Sequence, residues 1–215
     1  LYAKKIKSNP NNYNNILKNK SLGLFFDKPS LRTRVSFDIC MKKMGGNITI
    51  INKSEIGFGS RESESDILRT LSLYLDCLII RNNDHNKIKA INKLNFLPII
   101  NGLSNYSHPC QILSDFFTIK EHFGRISELT IAWIGDINNV LISLIQASTI
   151  FNIKLNISAP NKLLVKKRTL IKNLSSKKIN FFINPVEAVN KADCVMTDVW
   201  QSMGEKNSLQ KIKLF

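Results

Sequence analysis

The anion-binding chemistry of this sequence is concentrated in the stretch Asp27-Lys28-Pro29-Ser30-Leu31-Arg32-Thr33-Arg34. Ser30 and Thr33 bring hydroxyl donors. Arg32 and Arg34 bring planar, permanently charged forks that suit phosphate oxygens. An apolar run, 22–26, precedes the stretch, and a segment of helical period, 35–44, comes after it and stops at Gly45-Gly46. The stretch therefore lies where a strand gives way to a helix. A helix start offers unpaired N–H groups and a positive dipole end, both favourable to anions. The residues describe a phosphate site without Walker glycines. They also fit a plainer reading, in which Ser30 caps a helix and the arginines face solvent.

Other residues with chemical potential fall at the ends of predicted elements. Arg81 follows the wholly apolar strand 77–80. His108-Pro109-Cys110-Gln111 opens a helix reaching about Phe123, with Pro109 suited to its first turn. His108 and Gln111 are three apart and can point to one side of that helix start. On residues alone, such a pair is more often a capping or core polar pair than a substrate site. Gly135-Asp136-Ile137-Asn138-Asn139 follows a strand at 129–134, and Asp198-Val199-Trp200-Gln201-Ser202-Met203-Gly204 follows a strand at 193–197.

The elements that must position these groups alternate. Strands are expected at 22–26, 47–51, 77–80 and 97–100, with helices at 35–44, 63–75 and 84–94 between them. The helix at 63–75 carries Ile67, Leu68, Leu71 and Leu75 on one face. After the helix 108–123 comes a second set: strands 129–134, 154–158, 179–183 and 193–197, with helices at 140–151, 162–174 and 185–191. Strands apolar on both faces, alternating with helices, predict an α/β fold with parallel sheets covered on two sides. Ligands of such sheets bind at the carboxyl ends of strands, where Ser30 to Arg34, Arg81 and the 101–108 loop all fall. Gly124 marks the expected boundary between a domain at 1–123 and a second at 124–215.

The bulk composition narrows the function class. The 215 residues carry a formal charge of +15, from 31 Lys+Arg against 16 Asp+Glu. The lysines are scattered and no basic-aromatic interleaving occurs, so nucleic acid is not the expected partner. Cys40, Cys77, Cys110 and Cys194 form no C-x-x-C pair and are expected to be buried, reduced thiols. The first residues show no apolar signal core, and no run nears the roughly 18 apolar residues of a membrane span. A cytoplasmic location is expected, with no membrane partner.

Taken together, Ser30-Leu31-Arg32-Thr33-Arg34, His108-Pro109-Cys110-Gln111, Gly135-Asp136-Ile137-Asn138-Asn139 and Asp198-Val199-Trp200-Gln201-Ser202-Met203-Gly204 resemble the motifs of the aspartate/ornithine carbamoyltransferase family, in order and over nearly the whole chain. The resemblance is strongest to the ornithine branch. It implies two α/β domains, the first binding carbamoyl phosphate and the second an amino acid, usually in a homotrimer with active sites at subunit interfaces. It implies transfer of the carbamoyl group to the side-chain amine of L-ornithine, giving L-citrulline and phosphate in arginine biosynthesis, with no metal or organic cofactor. By position, Ser30, Arg32 and Thr33 would hold the phosphate, with Leu31 offering backbone donors. Arg81, His108 and Gln111 would contact the carbamoyl group. Asn139, Asp198, Ser202 and Met203 would hold ornithine. Arg81, His108 and Asp198 would act most directly in the chemistry.

The sequence departs from the family pattern in three places. Leu31 stands where the family usually has Thr, as in the acetylornithine enzymes, although those lack the Ser-Met-Gly loop found here. Gly57 stands where a Gln or His usually reaches a neighbouring subunit. No His-Cys-Leu-Pro segment is present, so no catalytic Cys is assigned, the second domain is expected to be incomplete, and apolar surface is expected to be uncovered on both domains. The alternatives are a non-catalytic relic that binds carbamoyl phosphate, or an acetylornithine carbamoyltransferase. Aspartate is disfavoured because its side-chain carboxylate calls for a cation, whereas Asp198 suits an amine.

Overall fold

The structure, a computed structural model, describes residues 2–56, 62–166, 170 and 178–199. It divides into two compact units, Leu1–Asn105 and Tyr106–Phe215. Each is an α/β layer structure on a four-stranded parallel sheet.

In the first unit, α1 (Tyr2–Ser8) and a short 3₁₀ turn (Pro10–Tyr13) lead into β1 (Ser21–Phe26), α2 (Leu31–Lys43), β2 (Asn47–Ile51), α3 (Glu64–Leu71), β3 (Cys77–Arg81), α4 (His85–Lys93) and β4 (Ile99–Leu103). The strand order is β2-β1-β3-β4. Strand alternation sends Leu22, Leu24 and Ile79 to one face, with Met41 of α2. Phe25, Leu78 and Ile80 go to the other, with Ile67 and Leu68 of α3 and Ile88 and Ile91 of α4. Each such side chain contributes roughly 1.5–3 kcal/mol when fully buried. Gly23 leaves the room this packing needs: a Cβ there would come within 2.6 Å of the Leu75 Cδ1 and 2.8 Å of the Leu78 Cδ1.

In the second unit, α5 (Pro109–Phe123) precedes β5 (Thr130–Ile134), α6 (Asn139–Ile150), β6 (Lys154–Ser158), α7 (Asn161–Lys166), β7 (Ile179–Phe182), α8 (Pro185–Val189) and β8 (Cys194–Met196). The order is β7-β6-β5-β8. One large cluster joins Ile112, Phe116 and Ile119 of α5 to Trp133 of β5 and to Leu141, Leu144 and Ile145 of α6. The apolar face of α5 packs into the second unit, so the compact units part at 105/106, ahead of this linking helix. Gly124 ends α5 with φ +72, the left-handed conformation that glycine adopts without steric cost.

Several sequence expectations are corrected. Helix α2 begins at Leu31, four residues early, which puts Leu31 to Arg34 inside its first turn. Helix α3 ends at Leu71. Turn hydrogen bonds then carry Leu75 onto the same buried face. Strand β4 runs over 99–103, not 97–100. Pro98 has no N–H for the ladder, and Asn101-Gly102, a turn signal by itself, is held extended by pairing with β3. Strand β2 is largely exposed, because it is a sheet edge. The cysteines are in no disulfide among the described residues, but Cys40 is exposed and the other three half-buried.

Candidate active site

The two sheets share one topological feature. From β1 the first sheet grows one way to β2 and the other way to β3. From β5 the second grows one way to β6 and the other way to β8. At such a switch point the loops after the two central strands part and open a crevice at their carboxyl ends. The motif residues stand at these two places.

In the first unit, β1 and β3 end level, with Phe26 beside Arg81 and the Asp27 N–H donating to the Arg81 carbonyl at 2.9 Å. Arg81 is only 8% exposed. A bulge in β4 opposite the Ile80–Arg81 step turns the strand there. The Arg81 Nη1 donates to the Thr33 Oγ1 at 3.3 Å, tying β3 to the first turn of α2. Burial, and after it the charge of Arg32, pull the Arg81 guanidinium below its ordinary value, although an arginine keeps its proton at neutral pH. Among the described residues neither Arg32 nor Arg81 is paired with a carboxylate. The acid of the motif, Asp27, is held by Lys53 at 2.6 Å. Ser30 occupies the N-cap position, but its side chain makes no capping bond. The plainer reading holds only in part: Arg32 does face solvent and Arg34 is half-buried, but the Ser30 hydroxyl does not cap. Two repelling guanidinium groups at an uncapped helix start form a place for a multiply charged anion.

In the second unit the charged candidate residues are acidic, Asp115 and Asp198. Asn138 caps α6, its Oδ1 accepting from the Val140 and Leu141 N–H groups at 3.0 Å each. Its Nδ2 donates to the Asp198 Oδ2 at 2.7 Å, which joins the loops after β5 and β8. Asn139, the next residue, is half-buried at the first position of α6. On α5, the Gln111 Nε2 donates to the Asp115 Oδ1 at 2.8 Å. Burial pushes the Asp115 carboxyl above the usual carboxylate range. The Gln111 bond opposes that shift and the charge of Asp198 adds to it. His108 stands at the N-cap of α5 without a side-chain capping bond, and its N–H donates to the Ser143 Oγ of α6 at 2.8 Å.

The structure thus brings Arg32, Thr33 and Arg81 together in the first unit, with Ser30 and Leu31 adjacent in the same helix start. In the second it brings Asp198 to the start of α6, where Asn139 lies. Ser202, Met203 and Gly57 lie outside the described residues. Family models match both parts of the chain. The carbamoyl-phosphate-binding domain of aspartate/ornithine carbamoyltransferases matches residues 2–121 and the aspartate/ornithine-binding domain residues 127–215. This chain belongs to the aspartate/ornithine carbamoyltransferase family. The ornithine carbamoyltransferase of Mesorhizobium japonicum is 40% identical over 200 residues, covering 93% of this chain and 66% of that protein. That of Methanocaldococcus jannaschii is 37% identical over the whole chain and 72% of its own length. The structure of ornithine carbamoyltransferase from Pyrococcus furiosus superposes with a TM-score of 0.85 at 34% identity, over all of this chain and 70% of that one. The chain spans 62% to 72% of the length of such curated relatives.

Two residues to which the motifs assign no role emerge in this carbamoyltransferase fold. Asn138 has a sequence signal, an Asn directly before an apolar helix. Its second bond, to Asp198 sixty residues on, depends on β8 pairing with β5. Asp115 has the weaker signal of lying four residues after Gln111 on a helix.

Proposed function

We infer that this chain transfers the carbamoyl group of carbamoyl phosphate to the side-chain amine of L-ornithine, as an ornithine carbamoyltransferase. The observation that carries this reading is the Arg81–Thr33 contact beside Arg32, a part-buried cationic cradle at a switch point. In this reading Ser30, Arg32, Thr33 and the Leu31 backbone hold the phosphate, while Arg81, His108 and Gln111 contact the carbamoyl group. Asn139, Asp198, Ser202 and Met203 hold ornithine. The amine nitrogen attacks the carbonyl carbon, the bond from that carbon to the bridging oxygen breaks, and phosphate leaves with the electron pair. Cations at the phosphate stabilise the charge that develops on it. A free alkylammonium has a pKa of about 10, so the attacking amine must first lose a proton, and Asp198 orients it. Holding the two substrates in line supplies much of the remaining acceleration. The reading extends to a cytoplasmic homotrimer acting in arginine biosynthesis. No helix among the described residues is long and apolar enough to cross a membrane.

The test is citrulline formation by the protein from carbamoyl phosphate and ornithine, with aspartate and acetylornithine as controls. Citrulline from ornithine alone is expected. Carbamoyl phosphate binding without any product would contradict transfer and leave a binding protein. Product from acetylornithine in place of ornithine would move the chain to that branch.

A further inference from the structure

The anion motif of the first unit contains an acid of its own. Asp27 is the only acidic residue of the stretch 27–34, and it directly follows β1. Its N–H donates to the Arg81 carbonyl, so its backbone stands beside the residue that supplies the buried guanidinium. A carboxylate is the natural internal partner of a guanidinium. Free to turn, Asp27 would compete with an incoming anion for the arginines. It is held elsewhere: its Oδ1 lies 2.6 Å from the Lys53 Nζ. Lys53 follows β2, which flanks β1 on one side, whereas Arg81 ends β3, which flanks β1 on the other. The Asp27 carboxylate is thus engaged by the loop after β2, while Arg81 reaches Thr33 with no carboxylate between them.

Lys53 is not needed where it stands for the fold. Its side chain is 72% exposed, and an ion pair this open contributes little to stability. The turn that carries it is closed by other bonds. The Asn52 N–H donates to the Glu55 carboxylate at 2.6 Å, and the Glu55 and Ile56 N–H groups donate to the Asn52 carbonyl. Ile56 is buried and anchors the turn in the core of the first unit. The effect of the pair therefore falls on Asp27. We propose that Lys53 is a positioning residue, which holds the Asp27 carboxylate off the arginines of the phosphate cradle and so leaves them open to an anion. The inference rests on the phosphate-site reading and adds to it a residue that acts only through Asp27.

The experiment is a calorimetric titration of inorganic phosphate into the protein and its variants. Lys53→Ala is expected to weaken binding roughly fivefold, the upper range for an exposed charge pair. Lys53→Arg keeps the cation and should bind as the wild type does. Asp27→Asn removes the competing carboxylate and should bind at least as tightly as the wild type. The double variant, Asp27→Asn with Lys53→Ala, should match Asp27→Asn alone, because Lys53 then has nothing to hold. That recovery is what a brace of the loop, or a lysine that touches phosphate itself, would not give. Unchanged affinity in Lys53→Ala would overturn the proposal. So would a double variant as weak as Lys53→Ala, weaker binding by Asp27→Asn, or a loss in Lys53→Arg equal to that in Lys53→Ala. Arg32→Ala in the same series tests the reading beneath it. Wild-type protein that binds no phosphate, or Arg32→Ala that binds it equally well, would overturn the phosphate site, and the proposal with it.

Discussion

The two units of this chain are the same device with side chains of opposite sign at the strand ends. Each is a parallel four-stranded sheet with one switch point, and each places a motif after both central strands. In the first unit those loops carry Arg32, Thr33 and Arg81, cationic groups and a hydroxyl with no facing carboxylate among the described residues. In the second they carry Asp198, held by Asn138, with Asp115 close enough to feel its charge. The fold supplies a crevice and leaves its sign open; a few side chains decide whether it suits an anion or a cation. The overall charge of +15 does not show this division, since the second site is locally acidic.

The strongest way to break the comparison is to remove a cation from the first crevice. Arg32→Ala should weaken carbamoyl phosphate binding by about 100-fold or more, the scale of a lost charge-assisted pair at phosphate. Circular dichroism should be unchanged, because Arg32 is exposed and belongs to no core cluster. Unaltered affinity would remove the phosphate assignment. Next comes Asp198→Asn, which should reduce kcat/KM for ornithine by roughly 10- to 100-fold. A matching loss with carbamoyl phosphate would show that the two crevices do not divide the work.

Smaller changes sharpen the comparison. Asn138→Ser retains a capping oxygen but gives up the amide that holds Asp198. It should raise the ornithine KM by about fivefold with little change in Tm. Asn138→Ala should show the same kinetic change and in addition lose about 1 kcal/mol of stability from the missing cap. A kinetic change in the Ala variant alone would separate Asp198 from this contact. The smallest effect belongs to Asp115. Its folded pKa is raised, so the folded state holds that proton more tightly than the unfolded chain does. The resulting stability is present below the ordinary carboxylate pKa of about 4 and is lost as pH rises through the folded value. Asp115→Asn should therefore raise Tm slightly at neutral pH, and the gain should shrink as the solution is acidified. A fall in Tm at neutral pH would contradict the burial penalty.

Much of the first crevice was legible in the sequence, because its parts are local. The strand before Asp27, the hydroxyls and the arginines all lie within a few residues, and helical period fixes the segment from Val35 onward. The start of α2 at Leu31, ahead of its apolar period, was not legible, since a first turn needs no core contacts. Nor was Ser30's failure to cap, which depends on its backbone setting of φ −150 and ψ 84. Strand β4 was misplaced because Asn101-Gly102 carries a turn signal locally, while its pairing with Ile80 and Arg81 is decided across the sheet. The second crevice was less legible still. Asp198 stood out through its motif, but its partner Asn138 is chosen by the order of strands, which no local pattern encodes. Asp115 shows the same limit: its link to Gln111 is helical and local, while its neighbour Asp198 is not.

The most direct test of the division of charge is one calorimetric series, with carbamoyl phosphate titrated into wild-type protein, Arg32→Ala and Asp198→Asn. Tight binding is expected in the wild type and in Asp198→Asn, with binding lost in Arg32→Ala. Equal affinity in all three, or loss in Asp198→Asn to match that in Arg32→Ala, would contradict it.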